Sequence, residues 1–327
     1  MEHRRLGKTG IDVSVIGFGS WAIGGAWGDV DDATSLEALH AAVESGVRFF
    51  DTADVYGDGR SERLIARLRR EVSEPIVVAT KAGRRAPEQR VDHYTPENLV
   101  AWIDRSRDNL ETATLDLVQL HCPPTDVFYH PEVFAALDDL VASGRIAHYG
   151  VSVERVEEAL KAIDYRGVAT VQIIYNVFRQ RPAERFFPAA RSADVGVIVR
   201  VPLASGLLTG KITSETTFAA NDHRSFNRHG EEFDVGETFS GVELATGLGV
   251  LSEISELVPP GETLAGFALR YCFSDPAVST VIPGAKSPGQ ARENAAAGSR
   301  PPLDPETIAR LATVYRERIA PEVHYRW

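Results

Sequence analysis

Short runs of apolar residues alternate with longer amphipathic segments along most of the chain. In the longer segments apolar side chains recur three or four positions apart, as in Leu36, Leu39 and Val43, which is the spacing of one helix face. The short runs are rich in Val, Ile and Phe and predict eight strands, at 15–19, 47–51, 76–80, 117–120, 146–151, 171–174, 197–201 and 278–282. This alternation is typical of repeated βα units around a parallel sheet.

Three further helices are predicted from a single apolar stripe and from signals for where a helix begins and ends. The stripes consist of Leu64, Ile65 and Leu68, of Leu99, Ile103 and Leu110, and of Val133, Leu137, Leu140 and Val141. Pro96 and Pro131 are each followed by Glu and predict first helical turns, because proline fits that position and an acid there complements the helix dipole. Gly46 and Gly144 predict helix ends just before the next strand.

Eight βα units allow two architectures, a closed (β/α)8 barrel or an open doubly wound sheet with an additional piece. The open sheet ordinarily carries Gly-x-Gly-x-x-Gly after its first strand, and Gly17, Gly19, Gly24 and Gly25 do not have that spacing. We therefore predict an α/β fold of the (β/α)8 TIM-barrel type that forms one domain over residues 1–327. Residues 4–16 predict a hairpin that closes the barrel floor.

The segment 213–241 interrupts the regular pattern. It is polar and has little apolar periodicity. A loop of this length inside a compact domain is typically a lid or a flexible segment. We predict that it follows strand seven, on the face of the barrel where loops build active sites.

Composition narrows the class of protein. The chain has 327 residues, is 43% hydrophobic and carries a formal net charge of -11, which argues against nucleic acid as the main partner because no basic excess neutralises phosphates. Cys122 and Cys272 are too few for a disulfide scaffold. The first residues lack the apolar run of a secretory signal, and no stretch has the length of a membrane span. These features predict a soluble cytoplasmic protein.

Ionisable residues end three successive predicted strands. Asp51, Lys81 and His121 each follow an apolar run, and Tyr56 lies five residues after Asp51. Because the carboxyl ends of barrel strands converge on one opening, these four side chains are predicted to share a site. A phenol has a pKa of about 10, and a neighbouring ammonium lowers it by favouring the phenolate. The four residues therefore predict proton donation to a carbonyl, with the hydride supplied by a cofactor.

Each of these residues has a structural interpretation when it is taken alone. A strand-end Asp51 or Lys81 can be a helix cap or a surface ion pair, His121 can be a hydrogen-bonded core histidine, and Tyr56 can cover a loop. The occurrence of all four in order at three successive strand ends favours the catalytic interpretation.

Several blocks of the sequence resemble the aldo-keto reductase family. The most diagnostic are residues 50–57 (FDTADVYG) with Ser61 and Glu62, residues 79–81 (ATK) and residues 116–121 (DLVQLH). Four further blocks are similar. They are residues 17–19 (GFG) together with Trp21; residues 144–146 (GRI), which lead to residues 150–152 (GVS); Gln172 together with residues 175–176 (YN); and residues 202–211 (PLASGLLTGK). The resemblance runs from about Arg4 to about Ala297 and is closer to the bacterial general aldo/keto reductases and the potassium-channel β subunits.

The resemblance implies reduction of an aldehyde or ketone by NADPH, with Tyr56 as general acid, Lys81 and Asp51 adjusting its acidity and His121 positioning the substrate. It also implies that the cofactor lies across the barrel mouth without a Rossmann motif. The implied cofactor contacts are Ser152 and Gln172 at the carboxamide, Arg200 on the nicotinamide ring, Pro202, Leu203, Ser205, Gly206, Leu207 and Lys211 at the pyrophosphate, and Gly284, Lys286, Gln290, Glu293 and Asn294 at the adenosine.

The sequence departs from the family pattern at several cofactor positions. Val153 stands where Asn usually follows the serine. Arg200 replaces an aromatic residue, and a guanidinium can stack in its place or form an ion pair at the end of strand seven. Gly284 and Gln290 replace Lys and Arg, which leaves Lys286 for the 2′-phosphate unless it is a solvated loop charge. NADH is therefore an alternative to NADPH.

Substrate and partners are only weakly encoded. Trp21 and Trp27 are predicted to line the pocket of a small carbonyl substrate, in a monomer or weak homo-oligomer that binds no metal, membrane or nucleic acid. A metal-dependent barrel hydrolase using Asp51 and His121 is one alternative, although the first strand end lacks a His-x-His pair. The other alternative is a cofactor-binding regulatory or redox-sensing subunit with little turnover.

Overall fold

The strands of the computed structural model, which describes residues 1–25, 27–28 and 30–327, form a small hairpin and a barrel. The hairpin pairs β1 with β2 in antiparallel fashion, and the barrel contains β3 to β10 in chain order, all parallel. In order the strands are β1 (His3–Arg5), β2 (Asp12–Ser14), β3 (Phe18–Gly19), β4 (Phe49–Asp51), β5 (Val77–Ala82), β6 (Leu115–His121), β7 (Ile146–Ser152), β8 (Val168–Ile174), β9 (Gly196–Arg200) and β10 (Val278–Val281).

Helices connect the strands and surround the barrel. They are α1 (Trp21–Gly24), α2 (Asp32–Glu44), α3 (Arg60–Glu71), α4 (Pro96–Asn109), α5 (Pro131–Ala142), α6 (Val156–Ala162), α7 (Pro182–Ser192), α8 (His223–Phe226), α9 (Leu244–Ser255), α10 (Leu264–Ser274), α11 (Pro288–Ala297), α12 (Pro305–Val314) and α13 (Ala320–Val323).

The barrel closes between its first and last strands. The backbone of Gly17 donates to Val281 at 2.8 Å, and the backbone of Val281 donates to Val15 at 2.9 Å. A parallel bridge between Gly19 and Gly284 continues the contact at the mouth. The predicted (β/α)8 TIM-barrel fold is confirmed, with each observed strand overlapping its predicted range.

A small apolar layer fills the lower interior of the barrel. It consists of Leu6, Val13, Phe49, Ala79, Leu117, Ile198 and Ile282, all buried. Leu6 and Val13 come from the N-terminal hairpin, which confirms the predicted closure of the floor. Gly7 permits this packing, because it has a φ of +51° and a Cβ there would lie 2.2 Å from the backbone nitrogen of Gly196.

The predicted helix boundaries are confirmed at both ends. α4 begins at Pro96 after Thr95, whose hydroxyl accepts from the backbone of Asn98, and α5 begins at Pro131. Gly46 and Gly144 follow helix ends in the left-handed conformation, with φ of +90° and +73°.

Val141 is the exception to the predicted helix stripes. Its side chain is 37% exposed, whereas Leu137 and Leu140 on the same helix are buried. A residue directly after Leu140 is rotated by about 100° from it around the helix axis, which takes Val141 away from the barrel.

The segment 213–241 contains short ordered elements. α8 lies within it, Asp222 caps that helix by accepting from Arg224, and 3-10 turns follow at Val235–Glu237 and Phe239–Gly241. His223 and Asn227 are fully buried. The segment therefore packs on the barrel, and its function as a lid stays a prediction.

The cysteines and the helices bear on two predictions made from composition. Cys122 and Cys272 are both free thiols, as the sequence predicts. Within the described part of the chain, no helix combines the length and apolar character needed to cross a membrane.

Candidate active site

The carboxyl ends of the barrel strands surround a cavity of about 500 Å³. Asp51 is the last residue of β4, Lys81 lies near the end of β5, and His121 is the last residue of β6. Asp51, Tyr56 and His121 line the cavity, and Lys81 lies beneath it with 1% of its surface exposed. The four residues predicted to be catalytic are therefore brought together.

Lys81 is held by three oxygen atoms. Its Nζ donates to Asp51 Oδ1 at 2.5 Å, to the backbone oxygen of Thr52 at 2.9 Å and to the Tyr56 hydroxyl at 3.3 Å. Burial alone would lower the pKa of Lys81, but Asp51 and Tyr56 favour the ammonium and raise that pKa above its ordinary value. Lys81 is therefore a fixed cation directly below the phenol.

Two buried amides complete the surroundings of Asp51. Gln172 Nε2 donates to Asp51 Oδ2 at 2.7 Å, and Gln119 Nε2 donates to the same oxygen at 3.2 Å. The two amides also contact each other, with Gln172 Nε2 at 3.3 Å from Gln119 Oε1. Both oxygens of the carboxylate thus have donors, which is what a buried charge requires.

Tyr56 lies between Lys81 and the opening of the cavity. Its ring stacks on Trp21 with 6.3 Å between ring centroids, and it meets the His121 ring edge to face with 5.8 Å between centroids. Gly24 leaves room for it, because a Cβ on Gly24 would lie 2.8 Å from the Cβ of Tyr56. Burial raises the pKa of Tyr56 and outweighs Lys81, which lowers it, so the expected net lowering is not found and the phenol is protonated at neutral pH.

His121 is neutral at the bottom of the cavity. Burial, followed by the positive charges of Arg84, Lys81 and Arg200, holds the pKa of His121 well below its ordinary value. Its Nδ1 is buried and accepts or donates no hydrogen bond within the described residues. A neutral imidazole retains one N–H donor, which can bind a carbonyl oxygen.

Arg200 lies in a cluster of buried carboxylates. Its Nη2 donates to Glu154 Oε2 at 2.8 Å and to the backbone oxygen of Val153 at 3.0 Å, and its Nη1 donates to Glu237. This is the ion-pair alternative considered for Arg200, although its partners were not foreseen. Arg200 also lines the cavity, and its stacking on a nicotinamide ring stays a prediction.

The same cluster contains three side chains that could together bind a metal ion. Among the residues that the structure describes, it is the only such group of His, Cys, Asp or Glu side chains. Cys122, Glu154 and Glu237 have ligand atoms within 4.8 Å of one another. The guanidinium of Arg200 contacts all three, with Cys122 Sγ at 3.7 Å from Nη2. Asp51 and His121, the ligands considered for a metal-dependent hydrolase, are not in this group.

Nearly all residues predicted to bind the cofactor line the cavity. They are Ser152, Gln172, Arg200, Pro202, Leu203, Ser205, Gly206, Lys211, Gly284, Lys286, Gln290, Glu293 and Asn294. Leu207 is different, because its side chain is fully buried and does not line the cavity. It packs below the loop that follows β9, near Gly247.

The loop after β9 has an unusual backbone. Val201, Ala204 and Ser205 have positive φ angles of 52°, 45° and 55°, and Gly206 follows with 95°. Such conformations are costly for residues other than glycine and are concentrated at functional sites. The Ser205 hydroxyl fixes the loop by donating to the backbone of Glu237 at 2.7 Å and accepting from Phe239 at 3.1 Å.

The opposite end of the cavity is formed by the loop before α11. Lys286 Nζ donates to the backbone oxygen of Trp27 at 2.6 Å, and Gln290 Oε1 accepts from the backbone of Lys286 at 2.8 Å. Asn294 Nδ2 donates to the backbone oxygen of Gly284 at 3.1 Å. Lys286 is therefore half-buried and held in place, which differs from a freely solvated loop charge.

An aromatic group covers the cavity beside Tyr56. Trp21 and Trp27, the predicted substrate-pocket residues, both line it, with 5.6 Å between their ring centroids. The His223 ring packs against Trp27 with 4.3 Å between centroids, and the Phe233 ring packs against Trp21 with 5.8 Å between centroids. The segment 213–241 supplies His223 and Phe233, so it forms part of this wall.

Some site residues were not identified from the sequence. Gln119 could have been found, because it lies two positions before His121 and alternate strand residues point to the same side. Arg84 and Glu154 are charged residues just after strand ends, a weaker signal. Glu237 lies in the irregular segment 213–241, where no periodic pattern indicates a direction.

Comparison with known proteins identifies similar chains. The aldo/keto reductase family matches residues 15–316. The chain is 31% identical to aldo-keto reductase YhdN of Bacillus subtilis over 299 residues, covering 89% of this chain and 86% of that protein. It is 30% identical over 343 residues to a probable voltage-gated potassium channel subunit beta of Arabidopsis thaliana, covering 100% of both. The structure of glycerol dehydrogenase AKR11B4 from Gluconobacter oxydans superposes with a TM-score of 0.78, at 27% identity, covering 97% of this chain and 96% of that one.

Another buried carboxyl lies on the loop that carries Tyr56. Asp54 has no exposed surface, and neither of its side-chain oxygens accepts a hydrogen bond within the described residues. Arg85 Nε is 3.4 Å from Asp54 Oδ2. Burial, together with the charge of Glu62, raises the pKa of Asp54 from 3.8 to about 7, and Arg85 and Arg105 oppose that rise.

We predict that Asp54→Asn stabilises the fold increasingly as pH rises. Because the folded-state pKa of Asp54 lies above its unfolded value, its contribution to stability is present at low pH and is lost as pH rises through about 7. Between pH 5 and pH 8 the unfolding free energy of Asp54→Asn should gain up to about 3 kcal/mol relative to the unsubstituted protein. Urea unfolding at both pH values measures this, and a pH-independent difference would contradict it.

Proposed function

Because the chain belongs to the aldo/keto reductase family, we propose that it reduces aldehyde or ketone carbonyls to alcohols with hydride from NADPH, and that Tyr56 donates the proton. The observation that carries this proposal is the position of Lys81, between Asp51 and the Tyr56 hydroxyl at 2.5 Å and 3.3 Å. A protonated phenol above a fixed ammonium, beside a neutral imidazole, suits a carbonyl oxygen that gains negative charge as hydride arrives.

The protein's own residues carry the proton transfer. The N–H of His121 and the O–H of Tyr56 both donate to the carbonyl oxygen, which orients the carbonyl in the cavity. The Tyr56 O–H bond breaks as the new O–H bond of the alcohol forms, and Lys81 stabilises the resulting phenolate. Asp51 keeps Lys81 protonated and in place, and water then returns a proton to Tyr56. Such proton donation typically contributes about 10² to 10⁴ in rate.

Several features fit a nicotinamide cofactor, which when bound supplies the hydride. Gln172 uses its Nε2 on Asp51 and Gln119, and among the described residues its carbonyl oxygen has no donor, so it can accept from a carboxamide. Ser205 and Gly206 both have positive φ angles and line the cavity, and backbone strain of this kind is concentrated at functional sites, which suits a loop that binds the pyrophosphate. Lys211 lies next to this loop and is 73% exposed.

The preference for NADPH rests on Lys286. This residue lines the far end of the cavity, where Gly284 and Gln290 provide no charge. An ammonium there favours the 2′-phosphate of NADPH, which NADH lacks. The neighbouring Glu293 carries the opposite charge and accepts hydrogen bonds, which suits the hydroxyls of an adenosine ribose.

A regulatory subunit with little turnover is the second candidate. The full-length similarity to the potassium channel subunit of Arabidopsis thaliana favours it. The same residues would then bind the cofactor and couple its redox state to a partner. Rapid turnover of a carbonyl without a partner distinguishes the enzyme from this subunit.

We predict that Tyr56→Phe lowers kcat for carbonyl reduction by about 10² to 10⁴ while the cofactor dissociation constant changes less than about threefold. The phenylalanine retains the ring that stacks on Trp21 and removes only the proton donor. Absorbance at the reduced-nicotinamide band measures turnover, and quenching of tryptophan fluorescence measures cofactor binding. Tyr165→Phe is the control, since its hydroxyl donates to Phe128 outside the cavity. Unchanged turnover in Tyr56→Phe would refute the assignment.

We predict that Lys286→Ala raises the KM for NADPH by about tenfold and leaves the KM for NADH within about twofold. Lys211→Ala is the matched comparison, because a pyrophosphate contact is shared by both cofactors and its loss should weaken both equally. Steady-state kinetics gives the ratio of the KM of each variant to that of the unsubstituted protein, for NADPH and for NADH. Equal effects of Lys286→Ala on the two cofactors would remove the 2′-phosphate assignment.

A further inference from the structure

Arg84 is a cation without a hydrogen-bond acceptor beside the proposed proton donor. It lies three residues after Lys81, lines the cavity together with Tyr56 and His121, and has 26% of its side chain exposed. Within the described residues, none of its five N–H groups donates a hydrogen bond. Glu154 Oε1 lies 3.7 Å from its Nη2, and the Phe233 ring centroid lies 6.0 Å from its guanidinium carbon.

The other charges around the cavity floor already have close partners. Lys81 is paired with Asp51 at 2.5 Å, and Arg200 donates to Glu154 at 2.8 Å and also to Glu237. Arg224, which lies over the Trp27 ring, pairs with Asp222 at 2.6 Å. Arg84 therefore differs from its neighbours, because its ion pair with Glu154 Oε1 is long, at 3.7 Å, and includes no hydrogen bond, while Arg200 binds the other oxygen of that carboxylate.

Arg84 comes from a different part of the barrel than the proposed cofactor contacts. Those contacts come from β7 to β9, the loop after β9, the loop before α11 and α11 itself, whereas Arg84 follows β5. The rest of the lining near Tyr56 includes the aromatic residues Trp21, Trp27 and Phe233 together with Arg84. A partly desolvated guanidinium binds a carboxylate well, since its N–H groups match both oxygens.

We infer that Arg84 determines substrate specificity by binding a carboxylate of the carbonyl substrate, so that the preferred substrates are carboxylate-bearing aldehydes or ketones. The inference rests on the proposed carbonyl reduction, because it assigns the other end of the same substrate. It also accounts for the long ion pair of Arg84 with Glu154, which leaves the guanidinium N–H groups to donate to the carboxylate of the substrate.

Paired aromatic aldehydes test this directly. The 2-, 3- and 4-carboxybenzaldehydes place the carboxylate at three distances from the carbonyl, and the corresponding nitrobenzaldehydes have the same shape without the charge. Arg84→Gln should raise the KM for the best carboxylated isomer by about tenfold or more and change kcat/KM for its nitro analogue by less than about twofold. Arg84→Lys should restore part of the loss.

Arg90→Gln is the matched control. Arg90 lies on the same loop, is 62% exposed, pairs with Asp92 and does not line the cavity. Arg90→Gln should leave unchanged the ratio of kcat/KM for the carboxylated substrate to kcat/KM for its nitro analogue. Thermal melting shows whether each variant is folded.

The outcomes separate this inference from the proposed function. Equal losses for carboxylated and nitro substrates in Arg84→Gln, or no loss for either, would overturn the role of Arg84 while leaving carbonyl reduction intact. Absence of turnover with every aldehyde in the unsubstituted protein would instead refute the proposed function. In that case titration of benzoate, followed by fluorescence of Trp21 and Trp27, still decides: a dissociation constant that does not rise in Arg84→Gln overturns the inference.

Discussion

The buried ion pair of Lys81 and Asp51 is the interaction on which the mouth of the barrel depends. Removing two charges from water costs several kcal/mol per ion, and a buried pair is by itself weak evidence for stability. Here the cost is offset by the hydrogen bonds that Gln119 and Gln172 donate to Asp51 and by the one that Lys81 donates to the backbone oxygen of Thr52. A network of this kind is more rigid than a single contact. The network holds the ammonium of Lys81 next to the Tyr56 hydroxyl, which is the reason to bury these charges.

The barrel supports this network by dividing its interior into layers. Phe49, Ala79 and Leu117 belong to the apolar layer near the floor, and the residues two positions later on the same strands are Asp51, Lys81 and Gln119. Because alternate residues of a strand point to the same side, each polar group stands directly above an apolar one. The N-terminal hairpin closes the floor, so the polar layer is reached from the cavity above. Rigid strands rather than loops therefore fix the ion pair.

Local patterns predicted the strands, the floor hairpin and the strand-end residues, because each depends on neighbours within a few positions of the chain. Gln119 follows from the same alternation. The surroundings of Arg200 could not be predicted, since Glu237 reaches it from an irregular segment 37 residues later. The sign of the Tyr56 pKa shift was also beyond local reasoning, because it depends on how completely the folded barrel buries the ring. The functional assignments of the cofactor residues still depend on resemblance, although nearly all of them line one cavity.

A double-substitution cycle on the ion pair tests most directly whether Asp51 acts through Lys81 on the proton donor. The measurement is kcat/KM for reduction of a neutral aldehyde by NADPH in the unsubstituted protein, Lys81→Met, Asp51→Asn and the double variant, with circular dichroism to verify folding. We predict that Lys81→Met alone lowers kcat/KM by about 10² or more, and that adding Asp51→Asn lowers it by less than about threefold further. Losses that multiply across the two sites would show independent roles and contradict this account.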